Sequence, residues 1–457
     1  MSKTFDAIII GAGQAGPSLA GRLTAAGMSV AVIERHLFGG TCVNTGCTPT
    51  KTLVASAEVA HQARRAAQFG IHLQGEVSVD MPSVKKRKDA VVAASRDGLE
   101  RWLRGMERCT VFNGHARFVS PREVCVNDTV LGASRIFINV GGRAAVPPLK
   151  GIDTIPYLTN TTILELESVP RHLVVIGGSY IGLEFAQMYR RFGSEVTVIE
   201  KGPRLIWRED ADVSMTIESI FAAESIKVRT AAECMSFEKR GAEIVAQVEC
   251  TAGAPEVIGS HALLAVGRRP NTDDLGLDRA GIAIDAHGYI TVDEHLQTSV
   301  PGIWALGDCN GRGAFTHTAY NDFEIVADNL LEGADRKVSD RIPCYALYID
   351  PPLGRVGLTE TQAREAGRQI RIGSRPMTRV ARAVEKGESK GFMKVVVDSN
   401  SQEILGAAIL GVGGDEAVHS FIDTMSAKAP FTTLRNTVHI HPTVAELTPT
   451  ILGELRS

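Results

Sequence analysis

Two distant stretches of this chain carry one and the same frame. Asp6 to Glu34 reads DAIIIGAGQAGPSLAGRLTAAGMSVAVIE, and His172 to Glu200 reads HLVVIGGSYIGLEFAQMYRRFGSEVTVIE. Each runs from an apolar strand through a glycine turn and a helix to a second strand with a terminal acid. Gly11 to Glu34 and Gly177 to Glu200 are both 23 positions apart. One such glycine fingerprint is a weak signal, because a plain α/β turn can carry it. Two in identical register demand that strand, turn and helix all match twice. The repeat therefore predicts an α/β architecture with two Rossmann-like dinucleotide-binding domains.

In the first copy Gly11 permits the tight turn, Gly13 lets the backbone approach a pyrophosphate, and Gly16 lets helix and strand pack closely. The helix N-terminus then faces the phosphates, and Glu34 is placed to accept ribose hydroxyls. The second copy keeps Gly177 and Gly182, with Ser179 in place of the middle glycine. A carboxylate at Glu200 suits a free 2′-hydroxyl and repels a 2′-phosphate. Lys201 and Arg204 follow closely and would partly offset that repulsion. NADH is the expected donor, and NADPH use is admitted.

A chain of 457 residues is long for one core. Between the repeats lie a helical stretch, about 50–108, and a β-rich stretch, about 109–147. Ile136-Phe-Ile-Asn-Val-Gly-Gly142 and Leu263-Leu-Ala-Val-Gly-Arg-Arg-Pro-Asn271 both end apolar strands in glycine and read as returns of the chain between domains. Gly302-Ile-Trp-Ala-Leu-Gly-Asp308 is a further strand whose terminal Asp308 can hold a sugar-like hydroxyl chain. From about residue 340 alternating strands and helices, including Phe392-Met-Lys-Val-Val-Val397, read as a separate α+β domain. A net charge of −3 gives no electrostatic case for nucleic acid or an anionic membrane. The run Lys85-Lys-Arg-Lys88, with Asp89 beside it, reads as a solvated helix face. There is no apolar stretch of the roughly 18–20 residues a membrane span needs, and no secretory signal is expected.

Of eight cysteines only Cys42 and Cys47 are closely paired, in Gly39-Gly-Thr-Cys-Val-Asn-Thr-Gly-Cys-Thr-Pro-Thr-Lys51. That argues against a disulfide framework or a zinc ribbon. Five helical steps would separate the two by about 7.5 Å along a helix axis, beyond the roughly 4.4–6.8 Å of bridged Cα atoms. A cycling disulfide thus needs an irregular turn, for which Gly46 supplies freedom. Thr48-Pro49 and the following apolar run read as a helix start. Cys47 then lies at a helix N-terminus, where a thiolate is favoured. The bland alternative is two buried cysteines acting as small hydrophobes. A dithiol beside a nucleotide site instead points to electron transfer between a flavin and sulfur. Near the end, His439-Ile-His-Pro-Thr-Val-Ala-Glu446 offers an imidazole, His441, that Glu446 could orient for proton transfer.

In this order, the motifs resemble those of the pyridine-nucleotide disulfide oxidoreductases, over nearly the whole chain. The resemblance implies FAD on the first fingerprint, a nicotinamide nucleotide on the second, and a C-terminal domain that makes a homodimer. The implied division is 1–148 (FAD domain, first part), 149–270 (NAD(P) domain), 271–339 (FAD and central domain, second part) and 340–457 (dimerisation). By position, Cys42 is similar to the interchange thiol that meets substrate and Cys47 to the thiol next to the flavin. His441, from the other subunit and oriented by Glu446, would be the acid–base. Lys51 would pair with Glu184 near the flavin, and Tyr180 would be the lid over the nicotinamide pocket. Gly40, Thr41, Gly142, Gly307 and Asp308 would join Gly11, Gly13, Gly16, Glu34 and Lys51 around FAD. Ile181 and Gly267 would join Gly177, Tyr180, Gly182 and Glu200 around the nicotinamide nucleotide.

Phe38-Gly39-Gly40, Thr316-His-Thr-Ala-Tyr-Asn-Asp322 and Pro351-Pro-Leu-Gly-Arg-Val-Gly-Leu-Thr-Glu360 are similar to segments of mercuric-reductase-like and reactive-chlorine-resistance reductases. The sequence departs from mercuric reductases in having Cys344 as its last cysteine, with no vicinal pair near the C-terminus. Thr45 is a further departure, standing where many relatives have an apolar residue. The expected function is NAD(P)H-driven, FAD-dependent reduction of a small disulfide through Cys42 and Cys47, in the cytoplasm, with no resident metal. The alternatives are a metal-ion reductase using the same thiols and a non-catalytic FAD-bound redox sensor.

Overall fold

The computed structural model describes residues 2–250 and 253–456. The first repeat forms the centre of a seven-stranded sheet. Strand Ser2–Ile10 pairs in parallel with Val30–Glu34 on one side and Thr129–Ile138 on the other. Cys109–Asn113 extends the sheet beyond Val30–Glu34, and Ile303–Ala305 adds to the inner end of Thr129–Ile138. Val30–Glu34 is buried at every position, as expected for a parallel strand covered on both faces. Helix Ala15–Ala25 lies against this sheet and also packs on helix Thr316–Glu332. The antiparallel strands Ala116–Ser120 and Glu123–Val126 complete the sheet.

The second repeat forms a four-stranded parallel sheet: Lys227–Arg229, Glu195–Ile199, His172–Ile176 and His261–Leu264. An antiparallel meander of Ala232–Arg240, Glu243–Cys250 and Glu256–Gly259 accompanies it. Gly142–Ala144, where the chain leaves the first sheet, pairs antiparallel with Arg268–Pro270, where it returns. The C-terminal unit is a five-stranded antiparallel sheet with helix His419–Ser426 packed on it through the fully buried Phe421. Two Rossmann-like units and a C-terminal α+β domain thus account for the architecture.

One apolar core ties the three units together. Leu53 and Ala57 of helix Cys47–Arg65 meet Leu183, Phe185 and Tyr189 of helix Tyr180–Phe192, and Leu347, Leu353 and Leu410 of the C-terminal sheet join the same cluster. Fully burying a side chain such as Leu183 or Phe185 contributes about 1.5–3 kcal/mol. This core fixes the helix that carries Cys47 against both other units. The Lys85–Lys88 run is not uniformly solvated. Lys88 is buried and donates to the Leu164 carbonyl at 2.9 Å, and Arg87 donates to the Thr52 carbonyl at 2.8 Å. The run is a clamp because these two bonds tie its helix to helix Cys47–Arg65 and to the short turn Thr162–Glu165. Among the described residues no helix is long and apolar enough to cross a membrane.

Candidate active site

The two glycine turns are built by the same contacts. Gly11 and Gly177 have φ of 101° and 112°. A Cβ on Gly11 would lie 2.3 Å from the Asn139 carbonyl oxygen, and one on Gly177 would lie 2.4 Å from that of Ala265. Gly16 and Gly182 face the carbonyls of Gly11 and Gly177 so closely that a Cβ would come within 2.4 and 2.1 Å. Each terminal acid staples its own turn. Glu34 accepts the amides of Ala12 and His36 at 2.8 Å each, and Glu200 accepts those of Gly178 and Gly202 at 2.6 Å each. A carboxylate offers about four lone-pair sites, so each acid keeps acceptor capacity for ribose.

A cavity of about 1410 Å³ opens beside the first turn. It exceeds the roughly 300–1,000 Å³ of ordinary ligand pockets and has the size an extended dinucleotide needs. Gly11, Gly13, Glu34, Gly40 and Thr41 line it together with Cys42, Cys47, Lys51, Tyr180, Ile181, Glu184, Gly307 and Asp308. Gly40 approaches Gly13 so closely that a Cβ would sit 3.0 Å from the Gly13 Cα, so the two turns form one narrow cradle. Gly16, Gly142, Gly177, Gly182, Glu200 and Gly267 do not line this cavity. Gly142 sits just behind it, its carbonyl accepting Arg268 Nη2 at 2.6 Å. Gly267 accepts the Ala145 amide at 3.0 Å at the chain return.

The cysteines lie in two successive helices, Gly40–Thr45 and Cys47–Arg65, broken at Gly46. A Cβ on Gly46 would come within 2.8 Å of the Thr41 carbonyl oxygen, so the break depends on glycine. Both thiols are free. The Cys42 S–H donates to Cys47, and this bond together with burial pushes the Cys42 thiol well above its ordinary value. The same bond, the Thr316 hydroxyl and the Lys51 charge overcome burial and draw Cys47 down to about 6. The two shifts run in opposite directions, which makes Cys47 the more acidic thiol of the pair.

Lys51 Nζ lies 2.6 Å from Glu184 Oε2 and 4.5 Å from the centre of the Tyr348 ring. The Tyr348 amide donates to the other Glu184 oxygen at 3.0 Å. Tyr180 leans on Phe315 and Tyr345, with centroids at 5.5 and 6.0 Å. Burial raises the Asp308 carboxyl, a shift opposed by Arg268, whose Nε stands 3.6 Å away. His441 Nδ1 is 2.8 Å from Glu446 Oε2, but this pair does not line the cavity within its own chain. His441 is largely exposed, between an Ile440 that is 80% exposed and Pro442.

Thr316, Arg268, Phe315 and Tyr348 line the cavity without having been singled out by the motifs, and Tyr345 stacks on Phe315. Arg268 and Thr316 lie inside segments whose resemblance was visible, but only the fold brings them to the cysteines or the glycine turn. Elsewhere, His61, Asp350 and Glu388 bring three ligand atoms within 4.8 Å of one another. Both carboxylates already pair with arginines, Asp350 with Arg191 and Glu388 with Arg65.

The fold and the dithiol-lined cavity define a flavoprotein oxidoreductase that draws electrons from a reduced pyridine nucleotide. The chain belongs to the pyridine nucleotide-disulphide oxidoreductase family, whose model matches residues 5–322, with the family's dimerisation domain at 344–451. It is 36% identical over 451 residues to the probable pyridine nucleotide-disulfide oxidoreductase RclA of Escherichia coli, covering 97% of each chain. It is 34% identical to a dihydrolipoyl dehydrogenase of Chlamydia muridarum, covering 98% of this chain and 96% of the relative. A mercuric reductase of Streptomyces lividans is also 34% identical, with coverage of 97% and 94%. Among solved structures, the Cu(II) complex of the HOCl-induced flavoprotein disulfide reductase RclA from Escherichia coli superposes with a TM-score of 0.90. That match has 34% identity and covers 99% of this chain and all of the other.

Proposed function

We propose that this protein reduces a small-molecule disulfide at the expense of NADH, through Cys42 and Cys47. The observation that carries the reading is the position of both cysteines on the wall of the cavity that also holds the first glycine turn. FAD, when bound, would supply two-electron transfer between nicotinamide and dithiol. Gly11, Gly13, Gly40, Thr41, Glu34 and Asp308 would hold it. The chain divides, on this reading, at 148, 270 and 339. These cuts fall close to the exit strand Gly142–Ala144 and the return strand Arg268–Pro270, and just before Cys344–Leu347.

Cys42 is the thiol that meets substrate, and its raised pKa means that it needs a base. His441 of a second copy, held by its own Glu446, takes the proton. Its exposure in the single chain, beside an exposed Ile440, fits a place in a homodimer interface. The Cys42 thiolate attacks one sulfur of the substrate disulfide, and the departing thiolate takes the proton back from the imidazole. The Cys47 thiolate then attacks the Cys42 sulfur. The second substrate sulfur leaves as a thiolate, which takes its proton from solvent, and the dithiol, now the Cys42–Cys47 disulfide, has given up the two electrons that NADH restores. Lys51, fixed by Glu184, keeps a positive charge beside Cys47.

NADH is the preferred donor because Lys201 and Arg204, the two cations that follow Glu200, are both directed elsewhere. Lys201 is tied to Glu233 at 2.6 Å, and Arg204 Nη2 is directed to the carbonyls of Trp207 and Glu209 at 3.5 Å each. This reading includes a cytoplasmic location, a compartment that keeps thiols reduced.

A second reading, reduction of a soft metal ion by the same thiols, is supported by the similarity to mercuric reductases and to a protein solved as a Cu(II) complex. An anaerobic steady-state screen of NADH and NADPH against disulfides, quinones and metal ions tests both. Turnover of a disulfide that vanishes in Cys42→Ser and Cys47→Ser is the expected result. Metal-dependent NADH oxidation without any disulfide turnover would overturn the first reading in favour of the second. A protein that binds FAD but turns over none of these acceptors would be a redox sensor instead.

A further inference from the structure

We propose that Thr316 is a further catalytic residue, whose hydroxyl donates to Cys47 and holds it as the resting thiolate. The proposal deepens the dithiol reading and rests on it. Thr316 Oγ1 lies 3.3 Å from Cys47 Sγ. It is the first residue of the helix Thr316–Glu332, 17 residues long. The sulfur therefore sits at the first turn of a second helix, besides heading its own. The unpaired amides and the dipole of a helix N-terminus both favour an anion there.

The neighbours of Thr316 are clamped, which fixes the hydroxyl. Phe315 stacks on Tyr345 at 5.7 Å with rings 3° from parallel, and its amide donates to Thr318 Oγ1 at 3.1 Å. His317 stacks on the other side of the same cluster, and its Nε2 lies 2.8 Å from the Cys344 carbonyl. A threonine hydroxyl can donate to a thiolate or accept from a thiol, so Cys47 keeps a partner in both protonation states. The hydroxyl favours the charged form, because a bond to an ion is about twice as strong as a neutral one. The Thr316 hydroxyl is among the groups that lower Cys47.

The test is the pH dependence of Cys47 alkylation by iodoacetamide, followed by mass spectrometry in a Cys42→Ser background that removes the competing thiol. Thr316→Val should raise the midpoint by about 1 to 2 in pH, while Thr316→Ser, which keeps the hydroxyl, should leave it near the parent value. Thr316→Ala serves in the same role if valine disturbs the helix start. An unchanged midpoint in Thr316→Val or Thr316→Ala overturns the proposal. So does an equal rise in Thr316→Ser, which would assign the effect to packing of the methyl group. Alkylation does not depend on disulfide turnover. A shifted midpoint in a protein whose parent reduces no disulfide would keep the role of Thr316 and remove the substrate reading.

Discussion

Removing the two members of the Lys51–Glu184 pair should have unequal consequences, and the structure sets the order. The Glu184 side chain is 7% exposed, whereas that of Lys51 is 34% exposed. Lys51→Met strands a buried carboxylate with the Tyr348 amide as its neighbour. Stranding a buried charge costs about 3–5 kcal/mol. Glu184→Gln leaves an ammonium that already reaches water and still lies over the Tyr348 ring, and its side-chain oxygen can still accept the Tyr348 amide. That loss should be about 1 kcal/mol, in the range of exposed pairs. Removing both charges spares the stranding penalty, so Lys51→Met/Glu184→Gln should be more stable than Lys51→Met alone. Thermal unfolding of the FAD-loaded protein is the assay. At about 2–4 °C per kcal/mol for a domain of 150–250 residues, Lys51→Met should fall by roughly 6–20 °C and Glu184→Gln by about 2–4 °C. Equal losses in the two single variants, or a double variant less stable than Lys51→Met, would refute the assignment of Glu184 as the buried and dependent partner.

Four further outcomes are expected. Cys42→Ser should retain long-wavelength thiolate-to-flavin absorption that fades on acidification, and Cys47→Ser should lack it; the reverse pattern would exchange their roles. His441→Ala should slow the disulfide half-reaction by about 10²–10⁴-fold with flavin reduction by NADH near normal in stopped flow. Mixing His441→Ala with Cys42→Ser subunits should restore partial activity, and failure of mixed dimers to turn over would place the imidazole outside the shared site. The ratio of kcat/KM for NADH to that for NADPH should exceed one; a strong NADPH preference would mean that Lys201 or Arg204 turns toward the ribose.

The double frame made most of the fold legible because its determinants are local. A glycine at Gly11 or Gly177 is required by backbone sterics within one strand–turn–helix unit, and the acid closing that unit is reached by the same short path. Gly46 was readable for the same reason, since a five-step cysteine spacing cannot be bridged across a regular helix. What the sequence could not contain is which distant groups meet the dithiol. Thr316 reaches Cys47 across 269 positions and Arg268 reaches Gly142 across 126, whereas the Lys51–Glu184 contact, across 133 positions, was expected only through the family resemblance and is present. Their side-chain types are ordinary, and no local period marks them. They act only because the shared core around Leu53, Leu183 and Leu347 docks the cysteine helix against the second repeat and the C-terminal sheet. Burial also decided that Lys88 is a clamp rather than a solvated charge, and that Glu184, not Lys51, is the group that depends on its partner. Local sterics determine the turns from sequence, whereas desolvation and long-range contact, which depend on the whole packed chain, determine the chemistry of the site.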